Sequence, residues 1–235
     1  MRTLLLALWV TGAVTLLVPT PSIQADDAKP PTAAELRRAE NYLKQIALAF
    51  HNYLDTNGGS LPNNISSADG KPLLSWRVQI LPYIEEGNLY NQFKLDEAWD
   101  SDNNKKLIAK LPKIYAPIRV KAKEGETFYQ VFTGEKAPFG PNNKPQLPKS
   151  FPDGTSNTGL VYEAADPVIW TKPVDLVFDE KKPLPKLGGL FDGVFHVAIA
   201  DGSVIRCKKN PDETELKRLI MPADGEVVDI KKLTR

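Results

Sequence analysis

Apolar and polar positions along the chain follow three successive patterns. Leu4 to Val18 is an uncharged run behind a single positive residue, Arg2. Pro19, Pro21 and Ser22 follow it, and a small residue, Ala25, stands before Asp26. That order is the pattern of a secretory signal peptide over residues 1–25, cleaved between Ala25 and Asp26. As a helix the run would cover roughly 22 Å, short of a ~30 Å hydrocarbon core, so a membrane contact is expected only through an uncleaved leader. Residues 26–32 read as a polar, proline-containing linker, and residues 33–235 as the folded domain.

The second pattern is helical. Leu36, Ala39, Leu43, Ile46, Phe50 and Tyr53 recur at steps of three and four, while Thr32 and Glu35 have the spacing of a capping box. Asn57-Gly58-Gly59 supplies the helix exit. Ser75 is placed to cap a short helix over Trp76 to Leu81, and Pro82 and Gly87 divide it from a turn around Leu89, Tyr90 and Phe93. Asp100 or Ser101 could cap a further helix reaching Leu111.

After Pro112 the period drops to that of strands. Thr127 to Thr133, Thr158 to Tyr162, and Val194 to Cys207 around the Asp201-Gly202 turn are the β segments, with the last pair a hairpin. A short amphipathic helix over Glu213 to Ile220 and a final strand over Glu226 to Ile230 complete the reading. Residues 138–152 and 179–189 are proline-rich loops that their own contacts would not order. Helices first and strands later predict an α+β fold, with the long N-terminal amphipathic helix laid on an antiparallel sheet.

Composition narrows the chemistry. With 30 basic and 29 acidic residues, the formal charge of +1 creates no field for gathering nucleic acid. One cysteine, Cys207, excludes an internal disulfide framework and a four-cysteine zinc site, and two histidines leave little room for a histidine-rich metal centre. His51 reads as a polar helix-end residue and His196 as a sheet-face residue. Asp153 to Asn157 is rich in oxygen ligands and could touch Ca²⁺, although its spacing is that of a side-chain-stabilised turn rather than an EF-hand. Glu85-Glu86 and Asp96-Glu97 read as solvated helix ends. Trp76, Tyr83, Tyr90, Trp99 and Trp170 are the ligand-cleft candidates, since aromatic rings offer large flat contact areas. No phosphate loop, dinucleotide fingerprint or zinc-protease motif occurs in the sequence. No catalytic residue, cofactor or metal is expected, and the chain reads as a non-enzyme.

Several segments carry a family resemblance. Asn41 to Ile46 with Phe50 to Tyr53, Leu74 to Arg77 with Leu81 to Glu85, Leu89 to Phe93, Ala98 to Ser101 with Asn104-Lys105, Asp153 to Thr158, Trp170 to Pro173 and Ala200 to Val204 occur in the order found in the DUF1559 family. That planctomycete family resembles type II secretion pseudopilins and type IV pilins, and is also catalogued as a solute-binding family. The resemblance implies a pilin-like fold and no established activity. The chain departs from the family where Pro19, Pro21, Pro30 and Pro31 separate the apolar run from the helix. It departs again at Phe191, where relatives often carry histidine, and at Tyr115-Ala116-Pro117, where many carry a cysteine. Two functions follow as expectations. One is an exported, periplasmic or extracellular, pseudopilin-like protein that docks on an envelope or secretion-system partner. The other is an extracytoplasmic protein that binds a glycan or small solute.

Overall fold

The computed structural model describes residues 29–140 and 143–234, so the proposed leader and its Ala25/Asp26 junction lie outside the described residues. The long helix α1 spans Ala33–Thr56. Thr32 caps it, its hydroxyl accepting from Glu35 N–H while the Glu35 carboxylate takes the Thr32 N–H at 2.7 Å. Leu43, Ile46 and Phe50 on its inner stripe are fully buried. Each contributes about 1.5–3 kcal/mol by leaving water.

Four strands form the main antiparallel sheet: β3 (Glu126–Gln130), β5 (Gly159–Ile169), β7 (Phe195–Ile199) and β8 (Val204–Cys207), in the order β3-β5-β7-β8. Two smaller pairs flank it, β1 (Ile65–Ser66) with β2 (Pro72–Leu74), and β4 (Phe132–Thr133) with β6 (Leu176–Val177). The fold is mixed α+β.

Because side chains alternate along a strand, β7 serves two cores. Ala198 packs with Ala39, Leu43, Ile46 and Phe50 of α1. Phe195, Val197 and Ile199 pack on the opposite face with α4 (Glu213–Ile220) and α5 (Ile230–Leu233), through Leu216, Leu219, Ile220 and Leu233. The sheet is therefore covered on both sides, which explains why all five β7 residues are buried.

Four expectations need correction. The helix proposed to reach Leu111 is a single 3-10 turn over Asn104–Leu107, because the buried Asn104 amide gathers the preceding loop instead. The strand over Thr127 to Thr133 is interrupted at Val131, whose N–H goes to the Asp175 carboxylate. The second β segment continues to Ile169 rather than stopping at Tyr162. The C-terminal segment forms no strand over Glu226 to Ile230: Val228 is buried against the second core, and Asp229 caps α5. The proline-rich loops take their order from neighbours. Pro145 accepts from Leu61 N–H, and Gly188 and Gly189 donate to the Glu163 and Ala164 carbonyls of β5.

Candidate functional site

Helix α2 (Trp76–Gln79) begins at Ser75, whose hydroxyl accepts from Arg77 N–H. This places Arg77 in the core, fully buried. Its Nε and Nη2 donate to the Tyr129 carbonyl at 2.8 and 2.6 Å, Nη1 to the Ser75 hydroxyl at 2.7 Å, and Nη2 to Asp175 Oδ1 at 2.7 Å. Trp76 Nε1 and Val131 N–H donate to the same Asp175 oxygen. Ser75 N–H meets the Thr171 carbonyl, and Tyr115 donates to the Arg77 carbonyl. The segments Leu74 to Arg77 and Trp170 to Pro173 are thereby joined around one buried ion pair. Burial pushes the Asp175 carboxyl above the usual aspartate range, and the Arg77 guanidinium pulls it back down.

Beside this node lies a two-lobed cleft. The larger lobe, about 740 Å³, is lined by Tyr53 and Asn57 from the end of α1, Ser60, Asn64, Gln79 and Lys144, among others. The smaller, about 330 Å³, adds Thr133, Val174, Val177 and Asp175. Asn63, Asn64, Ser66 and Gly70 border both lobes. The walls are held by side-chain amides. Asn63 Nδ2 donates to the Asn143 carbonyl at 2.7 Å, Asn143 Nδ2 to the Ala137 carbonyl, Asn64 Oδ1 accepts from Trp76 N–H, and Gln79 Oε1 accepts from Asn63 N–H. Asn64 Nδ2, Gln79 Nε2, the Ser60 and Ser66 hydroxyls and Lys144 Nζ have no partner among the described residues. Asp175 Oδ2 is buried and also unpartnered. Amide donors and hydroxyls suit a ligand rich in hydroxyl groups.

The five aromatic candidates do not converge. Trp76 and Trp170 are core residues, exposed by 1% and 0%, so neither offers a ring face. Trp170 instead donates to the Ile108 carbonyl and stacks on Tyr115. Tyr83 is half-buried, with its hydroxyl 2.6 Å from that of Thr56, and its ring meets Tyr53 edge-on. Tyr90, the last residue of α3 (Gly87–Tyr90), is half-buried, and Trp99, also half-buried, lies under the Lys172 ammonium. None of the five lines the cleft; Tyr53 does, a position the helical period assigns only to the inner stripe.

Both histidines lie on the elements expected, His51 near the C-terminal end of α1 and His196 on β7, and the structure adds their surroundings. His51 is half-buried against the β7–β8 turn, with Nε2 buried and unpartnered. His196 is 1% exposed, and its Nδ1 lies 2.9 Å from Glu163 Oε2. The Asp153 loop is a turn whose carboxylate accepts from Asp224 and Gly225 N–H. Among the described residues no group of three or more His, Cys, Asp or Glu side chains could hold a metal ion. Cys207 is buried, which pushes its thiol up to about 12.

These features define a mixed α+β domain with an amide-lined cleft beside a buried charged node. A family model described as proteins of unknown function (DUF1559), which also bears a bacterial solute-binding name, matches residues 37–186; the chain belongs to that family. No curated protein and no solved structure matches the chain significantly. Among the described residues no helix is long and apolar enough to cross a membrane.

Proposed function

We propose that this protein is an extracytoplasmic solute-binding protein that holds a neutral, polyhydroxylated small molecule or glycan end in the cleft without transforming it. The observation that carries this reading is the set of unpartnered donors at Asn64, Gln79, Ser60 and Ser66 around a rigid, amide-braced cavity. Preformed walls lower the ordering cost of binding. The solute-binding name of the family and the uncharged run Leu4 to Val18 support the same reading and an exported location. Docking on an envelope partner has less support. The exposed large apolar residues among those described are Leu48, Val174, Val177 and Val227, and two of these border the cleft.

Thermal-shift titration of the full chain against neutral mono- and oligosaccharides tests the proposal. One saccharide class should raise Tm saturably, since a ligand at 100 times its Kd adds about 2.7 kcal/mol. The double variant Asn64→Asp with Gln79→Glu keeps both structural acceptors and removes the amide donors. It should weaken binding by about tenfold or more. A panel without any saturable shift, or a double variant that binds as well as the parent, overturns the reading.

A further inference from the structure

A second cavity, about 420 Å³, lies away from the cleft, between the first turns of α1 and the open end of the β7–β8 hairpin. Its lining includes Leu36, Arg37 and Glu40 from α1, His196 from β7, and Val204 and Arg206 from β8. Glu163 Oε2 accepts from the His196 backbone N–H at 2.7 Å and meets Nδ1 at 2.9 Å. Phe191 packs edge-on against the imidazole ring. The ring is thus fixed from behind, and in the ring's neutral form the carboxylate selects the tautomer with the proton on Nδ1. Nε2 then carries a lone pair, and it has no partner among the described residues. Arg37 and Arg206 are exposed and make no salt bridge among the described residues; the Glu40 carboxylate, bonded to Lys44 at 2.6 Å, also lines the cavity and interacts electrostatically with His196 and Arg206.

A nearly fully buried imidazole with an unpartnered Nε2 shares this cavity with two guanidinium groups and one carboxylate already bonded to Lys44, a lining with a net positive balance. We infer that this cavity binds a small oxyanion that also carries an O–H group, such as a hydroxycarboxylate or a monohydrogen phosphate. The two arginines take the anionic oxygens, in the forked geometry that guanidinium offers to carboxylate and phosphate. The hydroxyl donates to His196 Nε2. No bond is made or broken.

The test is calorimetric titration of the full chain with glycolate, acetate and inorganic phosphate. Glycolate and phosphate should bind saturably, and acetate, which lacks the hydroxyl, should bind about tenfold more weakly than glycolate. Arg37→Ala with Arg206→Ala changes two exposed side chains and should weaken glycolate and phosphate by at least about tenfold. His196→Asn keeps a donor for Glu163 and removes Nε2, and should erase the preference for glycolate over acetate. Saturable binding of phosphate alone locates the source in phosphate compounds, and of glycolate alone in hydroxy acids; either supports the site. Absence of saturable binding by both, equal binding of glycolate and acetate, or indifference to the arginine substitutions overturns it. If the His196 variant does not fold, the glycolate-to-acetate contrast in the parent chain still decides the role of Nε2. Saccharide binding in the cleft is read separately, and neither result depends on the other.

Discussion

Arg77 and Asp175, 98 positions apart in the chain, meet at 2.7 Å with both side chains withdrawn from solvent. Their contact ties α2 to the segment ahead of β6 and fixes the point where β3 gives way to β4, since Arg77 holds the Tyr129 carbonyl and Asp175 the Val131 N–H. The cleft's smaller lobe has Asp175 in its lining, so the same pair shapes the candidate site.

Removing one partner of such a pair leaves an uncompensated buried charge. Arg77→Met should cost roughly 3–5 kcal/mol. Asp175→Asn retains an acceptor at Oδ1 and should cost less. The combination Arg77→Met with Asp175→Leu should cost clearly less than the sum of its parts, because it strands neither charge. Urea unfolding of the parent, Arg77→Met, Asp175→Leu and the double variant closes a double-mutant cycle that measures this, and simple additivity would contradict the assignment.

Asn104 is fully buried, and its amide makes most of the bonds that hold residues 94–98. Oδ1 accepts from Lys94 N–H at 3.0 Å, while Nδ2 approaches the carbonyls of Lys94, Glu97 and Ala98 at 2.9–3.2 Å. Asn104→Ala leaves these groups unpaired and should destabilise by roughly 2–4 kcal/mol. Asn104→Asp has nearly the same shape yet turns a second acceptor toward three carbonyls, so it should be at least as damaging. A well-tolerated aspartate in equilibrium unfolding would show that the amide orientation is wrong.

Glu215 closes the corner between α4 and α5. Its Oε2 accepts from Asp229 N–H at 2.9 Å, and Oε1 meets Lys232 and Arg218. That backbone bond first, and then Lys232, hold its carboxyl below the ordinary 4.5. A depressed folded-state value means that the unfolded chain binds the proton more tightly. The stabilisation is therefore complete above about pH 4.5 and is lost as pH falls through the folded value. Glu215→Gln should lower Tm at pH 7 by about 2–6 °C, and the gap should close below pH 4.5. Melting curves from pH 3 to 7 decide it; a gap independent of pH would show that packing, and not charge, is what the substitution removes.

The segments readable from the chain are those whose signals are local. The Ser75 cap, the Asp201-Gly202 turn and the Glu213 to Ile220 helix all appear where spacing and residue type place them. Asn104 looked like part of a helix because helical period says nothing about a side chain that bonds backward to a loop. The aromatic candidates failed as a cleft for a related reason. A tryptophan contributes equally well to a core or to a binding surface, and only its neighbours distinguish the two.

Local spacing and ordered motifs were enough to read the Thr32 and Ser75 caps, the Asp201-Gly202 turn, the α+β class and the family, because each depends on residues within a few positions or on motifs in a set order. Tertiary structure alone decided that Arg77 finds Asp175, that Glu163 turns His196 toward a cavity, and that amides from three separate segments line one cleft. Those pairings join residues 98 and 33 positions apart, or far-separated loops. No periodicity encodes them: burial forces polar groups to find partners, and the packed fold determines which partners lie within reach.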